Sequence, residues 1–420
     1  MRSPYLWGSV LLTLVYAACL YGQYLLLSPD QELPDGTVAL GINDQAIGKA
    51  AFWAMWTLLV WTGLFVWLDR WRAQNPVIWL WAIGWGAAVS TWLSLHVNTW
   101  AAEMMSVEGS AADTGARPAI FIAPFVEEAT KASVLFLFAI LMRYRLVNRL
   151  NVVALAGFSA IGFAFCENII YYGRAVVYGA TTIEVGDPDA ALYQLVLLRG
   201  VFTSFGHPLF TAMTGFGLAV GLRSRSKIVR VMAPLTGFLA ASFGHMLFNG
   251  LASIGIGDFL MTPFPLLAVF FTYVMFLTTG IMKEGRFISA RLTDFVLMGW
   301  LPPRDPEVFS RHFSRVKLLL ASVFRGPRCV LATVRFMRGI TELAYLRDAR
   351  ARGIVAAAGI DREKELLETL HQLRGGKALT EPQGLKIFVW PFKRRRAPVA
   401  PPPPVYPGPA GIAGQWPAPR

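Results

Sequence analysis

Residues 118–142 read PAIFIAPFVEEATKASVLFLFAILM. The segment is long enough for a helix to cross ~30 Å of hydrocarbon. Within it lie Glu127, Glu128 and Lys131. A charge at mid-bilayer costs ~2.5–3.5 kcal/mol on insertion scales, so charges there default to a working role. Whether this segment is a membrane span with a polar purpose decides how the rest of the chain reads.

The surroundings favour a membrane. The chain has 420 residues, 55% hydrophobic and only 15% charged, with mean hydropathy +0.47. That is not the profile of a soluble globular protein. Fourteen tryptophans suit a protein with two water–lipid interfaces to anchor. Cys19, Cys166 and Cys329 form no spaced pair, so neither a disulfide framework nor a cysteine zinc site is suggested.

Eight apolar segments follow one another, at about 5–27, 48–69, 76–96, 118–142, 151–172, 200–221, 229–251 and 262–282. Helices are expected, because lipid leaves free backbone groups unsatisfied. The fold class read from this pattern is an all-α polytopic membrane protein of about eight transmembrane helices. Its polar site falls on a central core of spans 4–7, and a helical tail follows.

Charge alternates between the connecting loops. Arg2, then Arg70 and Arg72, then Arg143, Arg145 and Arg149, then Arg223, Arg225 and Lys227 occupy one set of ends. Asp30, Glu32, Asp35 and Asp44, then Glu103, Glu108 and Asp113, then Glu184, Asp187 and Asp189, then Asp258 occupy the other, with Arg117, Arg174 and Arg199 as minor counterweights. The positive-inside rule then predicts a multi-pass protein of the cell membrane with both termini cytoplasmic. The net charge of +13 thereby marks orientation, and no nucleic-acid partner is expected. The first segment runs on through LYGQYLLL, residues 20–27, too long for a signal-peptide core, and reads as a retained helix.

The predicted domains are a transmembrane domain, 1–282, with its motif-bearing core at 118–251. A basic helical cytosolic tail, 283–385, packs on itself or on the membrane surface. The Pro-rich segment 386–420 is expected to be disordered.

The ionisable residues inside the spans are few: Glu127, Glu128 and Lys131 in the fourth, Glu167 in the fifth, His207 in the sixth and His245 in the seventh. Counted from the span ends, all lie ~8–14 Å below the outer surface at about 1.5 Å per residue. Four consecutive helices therefore contribute to one layer. Glu127 and Lys131 are spaced i, i+4, Glu128 and Lys131 i, i+3, His207 and Thr211 i, i+4, and His245 and Asn249 i, i+4, so each set shares a face. Pro124 and Pro208 are candidate kinks, and Gly157, Gly162, Gly206 and Gly244 candidate points of close helix approach.

Two histidines and a carboxylate, as in Glu167, His207 and His245, form a ligand set for a catalytic zinc with an open position. A further carboxylate could then act as general base toward water. A metal-free site is the other reading, with Glu and His activating water directly and Asn168 or Asn249 stabilising an oxyanion. Either way the implied reaction is hydrolysis within the membrane. Taken singly, each residue also has a structural reading: an ion pair for packing at Glu127–Lys131, a solvated Glu167, a packed histidine. Those readings have to hold together at one depth on four helices.

The ordered set EEATK (Glu127–Lys131), FAFCEN (ending at Glu167 and Asn168), His207 and HMLFN (His245–Asn249) resembles the PrsW family of intramembrane proteases, which is similar in turn to the CAAX prenyl proteases. The resemblance covers about 118–251. It implies site-1-type cleavage of single-span membrane proteins, such as anti-sigma factors, in the lipid bilayer. It carries Glu127, Glu128, Glu167, His207 and His245 over as catalytic or ligand positions. Glutamate before lysine at i, i+4 is the better-oriented pair, which favours Glu127 as the partner of Lys131 and Glu128 as the base. Two competing functions are a proton-coupled transporter and a non-catalytic relative. The one-sided polar layer and the lack of strong internal repeats count against the first, and the complete motif set against the second.

Overall fold

The computed structural model describes residues 4–32, 38–72, 74–105, 117–142, 146, 148–181, 189–253, 263–351 and 358–381. The chain divides into two units, Met1–Thr279 and Gly280–Arg420. Apart from a two-residue antiparallel pairing of Gln31–Glu32 with Val38–Ala39, the regular structure among the described residues is helical. Arg143, Arg145, Glu108, Asp113, Glu184, Asp187, Asp258 and the segment 386–420 lie outside the described residues.

Among the described residues, six helices are long and apolar enough to cross a membrane: Leu6–Leu27, Asp44–Leu68, Pro76–Ala101, Arg149–Gly179, Ala190–Leu222 and Lys227–Leu251. The protein is therefore an all-α polytopic membrane protein. The expected fourth span is the helix Ala123–Leu141, α5, whose charges Glu127, Glu128 and Lys131 keep it from qualifying on composition. The expected eighth corresponds to the start of the helix Pro263–Leu297, where the side chains up to residue 269 are outside the described set.

The hub of the first unit is α6, Arg149–Thr181, of 33 residues. Most of its apolar stretch is buried inside the protein, whereas in α1, Pro4–Leu27, Gln23 alone among the described side chains is fully buried. Alanine and glycine on α6 permit this, because backbones approach closely only where side chains are small. The third span is built from α3, Pro76–Gly84, a π-helical turn, Trp85–Ser90, and α4, Thr91–Met105. It crosses α6 where Gly86 and Gly162 oppose each other's neighbours. A Cβ at Gly86 would collide with the Ser159 carbonyl, and one at Gly162 with the Ile83 carbonyl. Gly157 lies under the Phe65 ring of α2, Asp44–Leu68. Gly206 and Gly244, expected to serve the same purpose, meet only side-chain rings, chiefly that of Phe210. The close α8–α9 crossing instead uses Gly217 and Gly237, each set against a backbone carbonyl of the other helix.

The sixth span departs most from expectation. It begins near Ala190 and not at 200, as α7, Ala190–Leu195, continuing into a π-helical turn, Val196–Phe202. A break at Thr203–Phe205 precedes α8, Gly206–Leu222. The seventh is α9, Lys227–Ser253. Pro124 and Pro208 each follow an interruption of their span, at Ile122 and at Thr203–Phe205, and bend no continuous helix. They fall in the first turns of α5 and α8, where a missing N–H removes no helical hydrogen bond. Each polar motif on these two helices therefore sits just inside a helix start.

Two polar ties fix the ends of the bundle. Lys49 pairs with Asp189 at one. At the other, buried Asp69 accepts from the Gln74 backbone N–H (2.7 Å), the Trp79 indole (2.8 Å) and the Asn151 side chain.

The second unit takes in the end of α10, Pro263–Leu297, then α11, Asp305–Ser310, α12, His312–Val323, α13, Pro327–Ala351, and α14, Ala358–Gly375. Its own apolar core includes Phe309, Leu318, Phe336, Ile340, Leu343 and Leu366. Buried Arg315 bonds the Phe309 carbonyl (2.7 Å) and the Thr341 hydroxyl (2.6 Å), and Asp305 pairs with Arg374.

Candidate active site

Lys131 is the centre from which the site can be built. It lies on α5 with Glu127 and Glu128, and all three are buried. Its Nζ donates to Glu127 Oε2 (3.2 Å), Glu128 Oε1 (3.0 Å) and His207 Nδ1 (3.0 Å), which uses all three ammonium donors. The Phe163 ring lies 4.0 Å away. Lys131 thus pairs with Glu127, the partner its spacing favours, and with Glu128 as well.

Glu128 has no exposed surface. Its Oε1 faces His245 Nδ1 at 3.2 Å, and its Oε2 accepts from Thr211 at 2.7 Å. With both oxygens held, Glu128 does not line the cavity, which differs from the base role expected of it. His245 is fixed from two sides, by Glu128 and by the Phe210 ring stacked on it (centroids 5.1 Å apart, 12° between planes). Its Nε2 points back to Glu127 Oε2 at 3.9 Å.

His207, at the start of α8, joins the two halves of the site. An ammonium only donates, so Nδ1 accepts from Lys131. Nε2 then carries the proton and donates to Glu167 Oε2 at 2.8 Å. Glu167 comes from α6, and the same oxygen pairs with Arg199. Arg199 also donates from Nε to Asn168 Oδ1 (3.1 Å) and lies over the Tyr171 ring at 3.9 Å. Asn249 lines the cavity, with its amide donating to the Ala119 carbonyl at 2.9 Å.

The six expected ionisable residues thus form one connected network, with Asn168 attached through Arg199 and Asn249 one helical turn beyond His245. A cavity of about 490 Å³ opens on it, lined among others by Glu127, Glu167, Arg199, His207, His245 and Asn249. The network is graded. Glu128 and Lys131 are closed off, while Glu127, Glu167 and His207 face the space where a substrate and water can meet.

One carboxylate and two imidazoles come within metal-ligand range of each other. Ligand atoms of Glu127, His207 and His245 all lie within 4.8 Å of one another. The 3.9 Å between His245 Nε2 and Glu127 Oε2 suits two bonds of ~2.0–2.2 Å to a shared ion. Glu128 on the far nitrogen of His245 is the carboxylate–histidine arrangement that orients metal ligands. His207 can join by giving up one of its two present hydrogen bonds. The residues therefore fit a metal, but through a different carboxylate. Glu167, expected as a ligand with His207 and His245, is engaged by His207 and Arg199.

Arg199 is the residue that sequence reasoning missed. With the sixth span read from 200, it falls among the loop charges. The run AALYQLVLLRGVF, residues 190–202, is apolar apart from Gln194 and Arg199 and already belonged to the span. The π-helical turn that carries Arg199 is a form common at functional sites.

A polytopic helical protein with a buried Glu/His/Lys network open to a cavity has the groups that hydrolysis needs. Residues 75–279 match the sequence profile of the PrsW family intramembrane metalloprotease. The chain accordingly carries a PrsW-family domain over that range, and it is an intramembrane protease. No curated protein sequence and no solved structure matches the chain.

Proposed function

We propose that this protease cleaves single-span membrane proteins, in the manner of site-1-type regulated proteolysis of anti-sigma factors. In this reading, eight spans carry the site in their outer half, both termini are cytoplasmic, and 283–385 is a cytosolic helical domain. The observation that carries the proposal is the convergence of Glu127, His207 and His245 within 4.8 Å on the wall of the cavity.

Glu127, His207 and His245 would hold the metal, with zinc as the candidate. Bound there, it would polarise the scissile carbonyl and make water a better nucleophile. Glu128 holds the His245 ring in place, and Lys131 offsets the charge of the paired glutamates. Glu167 faces the cavity and is the carboxylate available to take the proton of attacking water and return it to the leaving nitrogen. Arg199 and Asn168 hold Glu167 in position.

One observation favours a metal-free variant. Both ring nitrogens of His207 already have partners, Lys131 and Glu167. A Glu167–His207 pair could then activate water unaided.

The test is cleavage of a panel of single-span substrates by purified protein in detergent. Wild type, Glu128→Gln and His245→Ala are compared, each with chelator and with zinc add-back. Loss in both variants and in chelator, with recovery on zinc, is the expected result. Loss in the variants alone would replace it with the metal-free variant. No cleavage of any substrate by folded wild type would overturn the substrate class.

A further inference from the structure

The second unit buries an ordinary apolar core, yet it leaves large apolar side chains almost fully outside. Phe313 is 81% exposed and Phe324 82%, with Leu320, Val323 and Leu331 also exposed. They are not scattered. Phe313, Lys317, Leu320 and Phe324 follow at i, i+4, i+7 and i+11, one stripe along α12 and its C-cap. The opposite face, with Arg315, Leu318, Ala321 and Ser322, is the buried one. Gly326, at φ +94°, then turns the chain into α13, which brings Leu331 into the same stretch.

Charge identifies the occupant. Between Glu307 and Glu342 the sequence has no acidic residue and seven Lys or Arg. Arg315 is buried and Arg311 pairs with Glu307. The remaining Lys317, Arg325, Arg328, Arg335 and Arg338 are exposed, and none has an acidic partner among the described residues. The chain's own basic segment Lys386–Arg396 brings more positive charge and no complement. A second copy meeting this face through a two-fold axis would set like charge against like. What remains is a surface that is negative outside and apolar beneath, and this chain is held at such a surface by its spans.

We propose that α12 and the turn into α13 form an interfacial docking surface for anionic lipid headgroups. Phe313, Leu320, Val323 and Phe324 enter the acyl boundary, and Lys317, Arg325, Arg328 and Arg335 contact the headgroups. This inference does not depend on the reaction the protease catalyses.

The experiment uses the full chain in lipid nanodiscs, with phosphatidylcholine alone or with added phosphatidylglycerol. An environment-sensitive label is placed at Phe324→Cys, with Glu365→Cys as the exposed control, both in a Cys19→Ala background. The expected result is quenching of the 324 label by spin-labelled lipid in anionic discs, weakened by salt and absent at 365. Each Lys or Arg→Gln change on this face should lower the docked-to-undocked ratio about fivefold. Trypsin cleavage after Arg325 in the unlabelled chain gives an independent readout, slowed in anionic discs and not in neutral ones. A 324 label as accessible to aqueous iodide as the 365 label in anionic discs would overturn the proposal. So would protection that arises only on adding a soluble acidic protein fraction, which would make the face a protein-binding one.

Discussion

Asp69 and Glu128 are both fully buried carboxylates of the membrane unit, and they are treated in opposite ways. Asp69 sits where a helix end meets a turn and accepts from a backbone N–H, an indole and an amide, each of which needs an acceptor. None of these residues lines the polar cavity. Glu128 is one of three carboxylates gathered with a lysine, an arginine and two histidines around that cavity. A buried carboxylate saturated by nearby donors is a fastening. A buried cluster of several titratable groups, costly to desolvate and open to a cavity, is retained for chemistry. The difference lies in the number of ionisable groups and in the open space, not in burial.

The largest expected effect tests the working side of this contrast. Glu127→Gln keeps the shape of the side chain and its contact with Lys131 but removes a carboxylate facing the cavity. Peptide cleavage should fall by about 10²–10⁴-fold, as much as loss of a general acid or base, because Glu127 is a proposed ligand of the metal that activates water. The protein should remain folded, since Lys131 keeps Glu128 at 3.0 Å. Specific activity and thermal midpoint, measured on the same preparation, separate the two. A large drop in midpoint with residual activity intact would reclassify the cluster as a fastening.

Arg199 comes next. It touches Glu167 and Asn168 and acts by holding the proposed proton acceptor in place, so its loss should cost about 10–100-fold, the size seen when a group that orients a working residue from outside is removed. Arg199→Gln should lower kcat and shift the pH profile of cleavage, because Glu167 loses its cationic partner. Arg199→Lys should recover part of kcat while losing the Nε bond to Asn168. A change in KM alone, with kcat and pH profile unmoved, would make Arg199 a substrate contact.

Much of this was legible in the sequence. Hydropathy located the helices, and the spacing of Glu127, Glu128 and Lys131 put them on one face, where a single ammonium binds both carboxylates. What the sequence could not carry was the partition of roles among three glutamates. That depends on which carboxylate faces the cavity, a property of helix rotation. Glu128 is turned inward onto Thr211 and His245, while Glu127 is turned outward. The sixth span begins earlier than its hydropathy suggests for a related reason. Arg199 resembles a loop charge until its partner Glu167, 32 residues earlier, is known to stand beside it.

The smallest expected effect on activity belongs to Asp69. Asp69→Asn presents an amide NH₂ where an oxygen now accepts, so at least one of the Gln74 N–H, Trp79 indole and Asn151 amide loses its acceptor. An unsatisfied buried group of this kind costs about 1–3 kcal/mol, a clear drop in thermal midpoint in detergent. Activity per folded molecule should stay within about twofold, since none of these groups reaches the cavity and nothing in the catalytic step depends on them. The two readings separate on one plate of samples, with midpoint and specific activity measured side by side. A tenfold loss of specific activity at unchanged midpoint would mean that the packing of α6, which carries both Asn151 and Glu167, transmits the state of Asp69 to the site. The fastening and the working cluster would then be one system.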